Sequence, residues 1–180
     1  MSDDDTRLHF YHEKGNASYV SAQNRYAPEV ASAFSMSSRH TQPNDYGPNP
    51  FAVNIEAATL QNDTFRTALW TGKHLQLTLM SLNPGEDIGL ENHPNLDQFV
   101  RIEQGTGIVK MGTRKDNLDF QRRVNADFAF IIPAGKWHNL INTGQTPMKL
   151  YSIYAPPQHP YGTVHVTKAD AAAAEEPDDY

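Results

Sequence analysis

The sequence contains no cysteine, no long apolar run and no basic stripe interleaved with aromatic residues. Without cysteine there is neither a disulfide framework nor a thiolate metal site. No apolar run approaches the roughly 20 residues that span a bilayer, and the acidic start of the chain is unlike a secretory signal. The missing basic stripe argues against nucleic-acid binding. These absences predict a cytoplasmic protein with no membrane or nucleic-acid partner.

Negative charge is concentrated at the two ends of the chain. Of the 21 acidic residues, seven lie in the terminal segments, and the 14 that remain nearly balance the 15 lysines and arginines. The formal net charge of −6 therefore describes the ends and not the body of the protein. Acidic ends of this kind favour solubility.

The composition divides the chain into three parts, 1–50, 51–166 and 167–180. Residues 1–50 are polar and rich in turn residues, yet they hold six aromatic side chains. This segment, with a short helix predicted over 27–34, is either a disordered leader or an arm laid over the body or over a partner subunit. Its aromatic content favours the arm. Residues 167–180 predict a short helix, which begins at a capping box of Thr167 and Asp170, and an acidic tail.

Residues 51–166 have the short apolar runs and frequent turn residues of an all-β domain. Strands are predicted over 75–79, 128–132 and 150–154, and the last two end at prolines. The runs 99–103 and 107–111 flank Gln104-Gly105-Thr106, which predicts a hairpin. Because no strand is followed by a long helical pattern, we expect an antiparallel barrel or a double-sheet jelly roll.

Two segments of this domain carry closely spaced donor side chains. Glu91 and His93 are two residues apart and point to one face of an extended chain. If the next strand runs from 96 to 102, Gln98 faces inward and Asp97 faces outward. On another strand, His138 shares one face with Leu140 and Asn142. Glu91, His93, Gln98 and His138 are therefore predicted to converge inside the barrel around one divalent metal ion.

The ligand charges restrict the chemistry of such a site. Only Glu91 is negative, so a divalent ion would keep a net charge near +1, as in sites made of two histidines and one carboxylate. Mn²⁺, Fe²⁺, Ni²⁺ and Zn²⁺ all fit this ligand set. Two alternatives stay open: Gln98 is a hydrogen-bonding residue beside a three-ligand metal, or Asp97 is the ligand because the strand register shifts by one.

The spacing of these residues resembles the two sequence motifs of the cupins. Gly85 and Gly105 frame the first motif, in which Glu91 stands at the first histidine position, His93 at the second and Gln98 at the glutamate position. The exchange of carboxylate and imidazole positions preserves four donors and the same ligand charge.

The second cupin motif is also present. Pro133, Gly135, His138 and Asn142 match it, and Asp127 stands where a glycine usually leads. The resemblance covers about residues 51–155. It implies a single cupin barrel, a double-stranded β-helix or jelly roll, with an irregular N-terminal arm and a short C-terminal helix. It also implies one bound divalent metal and a homodimer.

Three functions are compatible with this resemblance. The chain looks like small cupins often labelled mannose-6-phosphate isomerase-like, which implies a metal-dependent isomerase or epimerase acting on a sugar or sugar phosphate. The alternatives are an Fe- or Mn-dependent dioxygenase and a non-catalytic small-molecule-binding barrel. The sequence shows no clear general base and assigns no catalytic residue. His159 and His165 are expected on the surface, or else as a lid over the barrel mouth.

Overall fold

The computed structural model describes residues 45–175. The predicted helix over 27–34 and most of the predicted arm over 1–50 lie outside the described residues, as does the acidic tail after 175. Neither of the described helices is long and apolar enough to cross a membrane.

The described part of the chain forms antiparallel strands with a short helix near each end. In chain order, the helix α1 spans Ile55–Gln61, and the strands are β1 Arg66–Thr71, β2 Gln76–Leu82, β3 Glu91–Asn92, β4 Asp97–Gln104, β5 Thr106–Gly112, β6 Phe120–Asn125, β7 Ala129–Ile132, β8 Trp137–Asn142, β9 Met148–Ala155 and β10 Val164–His165, followed by α2 Lys168–Glu175. The strands form one sheet of six, in the order β10-β1-β2-β9-β4-β7, and one of four, in the order β3-β8-β5-β6. The all-β jelly-roll prediction is confirmed.

The two helices are held by capping side chains. Asn54 precedes α1, and its side chain accepts a hydrogen bond from the Ala57 amide at 3.0 Å. At α2 the predicted capping box is present. The Thr167 amide donates to Asp170 Oδ2 at 2.7 Å, and the Asp170 amide donates to Thr167 Oγ1 at 3.2 Å. These bonds satisfy amides that the helix itself leaves without acceptors.

The predicted hairpin around Gly105 is wrong. Only Gly105 separates β4 from β5, but β4 pairs with β7 and β9, whereas β5 pairs with β6 and β8. The chain therefore passes from one sheet to the other at this residue. Gly105 has a φ of +98°, and an added Cβ would lie 2.9 Å from the Met148 Cα. A hairpin and a sheet crossing both require a tight glycine turn, so the sequence pattern does not separate them.

The inward-facing side chains change character along the strands. On β4 they run from Gln98 through Val100 to Ile102, and on β8 His138 is followed by Leu140. The neighbouring strand β9 shows the same change, because Tyr154 lies opposite Gln98 and Leu150 lies opposite Ile102. One end of the barrel interior is consequently polar, and the other is an apolar core.

Candidate metal centre

Strand pairing brings the two donor segments together at the polar end. Glu91 on β3 lies directly opposite His138 on β8. The ladder continues past β3, because the Gly135 amide donates to the His93 carbonyl at 2.8 Å. The Asn92 side chain also donates to the Gly135 carbonyl at 2.8 Å. Short as it is, β3 thus has a fixed register against the turn that precedes His138.

The side chains of Glu91, His93 and His138 converge as the sequence predicts. One potential ligand atom from each lies within 4.8 Å of the others. Glu91 Oε2 is 3.4 Å from His93 Nε2 and 3.7 Å from His138 Nε2. The two imidazole rings have centroids 5.2 Å apart. Both imidazoles are buried, at 9% and 0% exposure, so the cluster lies inside the barrel.

The hydrogen bonding of the histidines suits metal ligation. His138 Nδ1 lies 2.9 Å from the Lys136 carbonyl, to which it can only donate, and this leaves the Nε2 lone pair directed into the cluster. The Nε2 atoms of His93 and His138 are buried and have no hydrogen-bond partner within residues 45–175. Buried polar atoms are rarely left in that state, and a ligating imidazole commonly donates its other N–H to a carbonyl. The donor set therefore fits a divalent ion.

Gln98 lies in the same cavity, on the opposite sheet. It is 2% exposed and lines the cavity together with Glu91. Its Nε2 donates to Ser152 Oγ at 3.2 Å, whereas its Oε1 is buried and has no hydrogen-bond partner in the part of the chain that the structure describes. Asp97 is exposed, and its Oδ1 accepts from the Ala134 amide at 2.9 Å. The inward Gln98 and outward Asp97 follow the predicted strand parity. The role of Gln98 as a ligand stays a prediction.

Arg66 is a buried charge beside this cluster that the sequence analysis missed. Its side chain is 1% exposed, and its Nη2 lies 3.3 Å from Glu91 Oε1. Burial on its own raises the pKa of Glu91, but the imidazoles of His138 and His93 beside the carboxylate and the charge of Arg66 outweigh this effect. The pKa of Glu91 is consequently held well below its usual range, and the group is a carboxylate. The sequence around an arginine at the start of a short strand does not show that the arginine is buried, because its partner Glu91 lies on the other sheet.

The expectation that His159 and His165 lie on the surface is also corrected. Both are half-buried, and His159 packs edge-on against Tyr154, with ring centroids 5.2 Å apart. Tyr154 in turn packs against His93, at 5.9 Å. Burial, assisted by the charge of Arg66, lowers the pKa of His159 to about 3, so its imidazole is neutral. The His159 carbonyl accepts from Gln76 Nε2 at 2.9 Å, and the His159 amide donates to Gln76 Oε1 at 2.9 Å, which holds this segment against β2.

The comparison with known protein families agrees with this geometry. Residues 78–154 match the Cupin domain family, Cupin_2. The matched segment runs from β2 to β9 and includes every residue of the candidate centre except Arg66. The chain is a cupin.

Relatives of this cupin occur in bacteria and in a giant virus. It is 74% identical over 132 residues to the uncharacterized protein YrkC of Bacillus subtilis. This match covers 73% of the present chain and 71% of YrkC. It is 41% identical over 125 residues to the uncharacterized protein L612 of Acanthamoeba polyphaga mimivirus. This match covers 69% of the present chain and 76% of L612. Both relatives are uncharacterized, so these similarities do not indicate an activity.

A solved structure agrees with the fold of this cupin. The crystal structure of BH2720 from Bacillus halodurans matches with a TM-score of 0.72 and 66% sequence identity. The match covers 72% of this chain and 98% of that one. At Asp127, where the family motif usually has glycine, the backbone has a φ of +72°. This left-handed conformation explains the usual glycine, and aspartate is among the few other residues that tolerate it.

Proposed function

We propose that this cupin is a metal-dependent enzyme of the dioxygenase type, which uses Fe²⁺ or Mn²⁺ on a small oxygenated substrate. The observation that carries the proposal is the cluster of Glu91, His93 and His138, with its unpartnered Nε2 atoms, inside a closed barrel. Two histidines and one carboxylate with open positions are the ligand set typical of non-haem iron oxygenases. When bound, such an ion supplies redox chemistry and open coordination positions.

The chain would hold the ion from both sheets. His93 and His138 would offer their Nε2 atoms, and Glu91 would offer Oε2. Gln98 would add its free Oε1 from the six-stranded sheet. The Lys136 carbonyl fixes the tautomer of His138, so the imidazole is ready to bind without reorganising.

The space beside Glu91 is narrow and is lined mainly by apolar side chains. Five apolar side chains line it: Met80, Ile88, Val100, Leu140 and Leu150. The polar lining consists of Arg66, Gln98 and the hydroxyl-bearing Ser152 and Tyr154, besides Glu91. This lining would keep water away from a reactive centre.

The isomerase alternative receives less support, because it requires a general base. Both oxygens of Glu91 already face other groups, Arg66 on one side and the imidazoles on the other. Burial raises the pKa of Tyr154, so this phenol stays neutral at pH 7. Among the described lining residues no carboxylate or amine is left to take a proton from carbon.

Oxygen consumption tests the proposal. Metal-free protein should be reconstituted with Fe²⁺, Mn²⁺ or Zn²⁺ and mixed with small hydroxy acids, diketones, diols and sugar phosphates. We expect substrate-dependent oxygen uptake with Fe²⁺ or Mn²⁺, lost in His138→Ala and kept in His74→Ala, whose histidine is exposed. Sugar-phosphate conversion without oxygen uptake would favour the isomerase instead. Binding without turnover across the panel would favour the non-catalytic barrel.

The pairing of two copies stays a prediction. Light scattering at several protein concentrations should give twice the 20.2 kDa of one chain. A mass of one chain at all concentrations would contradict it.

A further inference from the structure

A guanidinium is buried where the strand pattern would place an apolar side chain. Arg66 opens β1, is 1% exposed and lines the cavity beside Glu91. Its guanidinium carbon lies 5.5 Å from the centroid of the Phe65 ring. Arginine stays charged in proteins, and removing that charge from water is unfavourable unless it is compensated by specific contacts. Its place next to a potential metal ligand therefore calls for a specific explanation.

The two oxygens of Glu91 face different groups. Oε1 lies 3.3 Å from Arg66 Nη2. Oε2 lies 3.4 Å from His93 Nε2 and 3.7 Å from His138 Nε2. Only Oε2 is thus directed at the point on which the imidazole lone pairs converge. The carboxylate is oriented for binding through one oxygen.

The backbone around Glu91 does little to fix this orientation. The strand β3 is two residues long and lies at the edge of the four-stranded sheet, where β8 is its one neighbour among the described strands. Arg66 belongs to the six-stranded sheet, in which β1 lies between β10 and β2. The contact from Arg66 therefore reaches Glu91 across the barrel interior and sets the rotation of the carboxylate independently of the β3 ladder.

We propose that Arg66 is a positioning residue that holds Glu91 as a one-oxygen metal ligand. The inference rests on the metal site of the proposed function and extends it. A carboxylate that binds through both oxygens occupies one coordination position more than a carboxylate that binds through one. By holding Oε1, Arg66 keeps that position open for the substrate or for oxygen, and so sets the coordination number of the loaded site.

Cobalt substitution gives a readout that does not depend on activity. The protein is loaded with Co²⁺, whose visible absorption is stronger in four- or five-coordinate than in six-coordinate sites. Arg66→Met removes the guanidinium, and Arg66→Lys keeps the positive charge. Arg101→Met is the matched control, since Arg101 lies on the same sheet, is 37% exposed and pairs with Glu103 and Asp127.

We expect the Co²⁺ bands of Arg66→Met to weaken and shift, as Glu91 turns to bind through both oxygens. Arg66→Lys should give a spectrum nearer to that of the wild type, and Arg101→Met should match the wild type. Infrared difference spectra supply a second measure. In the wild type, the separation in wavenumber between the two carboxylate stretching bands should be that of a carboxylate bound through one oxygen. In Arg66→Met this separation should be smaller.

Three results would overturn the inference. A wild-type spectrum in Arg66→Met would reduce Arg66 to a structural ion pair. Infrared spectra that show Glu91 bound through both oxygens in the wild type would also contradict the inference. This test does not depend on the folding of any variant. Wild-type protein that binds no Co²⁺ would remove the metal site, and with it both the proposed function and this inference. The first two results leave the proposed function intact.

Discussion

The two ends of the barrel interior are built from the same strands but serve different purposes. At the apolar end, Ile102 and Leu150 lie opposite each other, at 0% and 1% exposure. At the polar end, four residues further along the same two strands, Gln98 lies opposite Tyr154, also almost fully buried. The apolar end gains stability from burial. The polar end buries charges and leaves nitrogen and oxygen atoms without partners, a cost that a bound ion would offset.

The largest expected effect of a single change lies at the apolar end. Ile102→Ala should lower the free energy of unfolding by about 2–5 kcal/mol, because it leaves a cavity that the neighbouring side chains only partly fill. Metal binding by the folded fraction should persist. Leu75→Ala, at a leucine that is 39% exposed, is the control. Urea unfolding of both variants is the measurement, and equal losses would contradict the division of the interior into two ends.

A second prediction concerns the pH dependence of stability at the polar end. Burial lowers the pKa of His159 to about 3, whereas a histidine in an unfolded chain titrates near about 6.5. Folding thus favours the neutral imidazole. The contribution is fully present above about pH 6.5 and is lost as the pH falls toward 3, because the unfolded chain takes up the proton first.

His159→Gln should flatten this dependence. Since one pKa unit corresponds to about 1.4 kcal/mol, the wild type should lose of the order of a few kcal/mol more than the variant over that window. Urea unfolding at a series of pH values measures the difference. His74→Gln, at an exposed histidine, should keep the wild-type dependence. Parallel curves for wild type and His159→Gln would mean that His159 is solvated.

The third prediction has a smaller expected effect and distinguishes Gln98 from the adjacent Asp97 by their influence on metal affinity. Gln98→Leu should weaken metal binding at least as much as the loss of an outer-shell partner does, about 10- to 100-fold, because it removes the buried Oε1. Asp97→Ala should leave metal affinity unchanged, since Asp97 contacts the Ala134 amide on the outside. Competition with a chelating dye gives both affinities. If the Asp97 variant alone loses affinity, the metal lies elsewhere.

The sequence indicated the features of the site that depend on local alternation. The parity of Asp97 and Gln98 and the inward position of His138 follow from the period-2 pattern of strands. The capping box at Thr167 is likewise a property of neighbouring residues. The burial of Arg66 and the position of His159 depend on which strands become neighbours. The sheet crossing at Gly105 is of the same kind, and a single sequence does not encode that choice in a short motif.

The central claim is that Glu91, His93 and His138 hold one metal ion, and elemental analysis tests it most directly. Wild-type protein, His138→Ala and His74→Ala should be purified without added metal and checked for folding by circular dichroism. The account predicts close to one equivalent of a single divalent metal in the wild type and in His74→Ala, and none in folded His138→Ala. Equal metal content in all three proteins, or none in the wild type even after reconstitution, would contradict it.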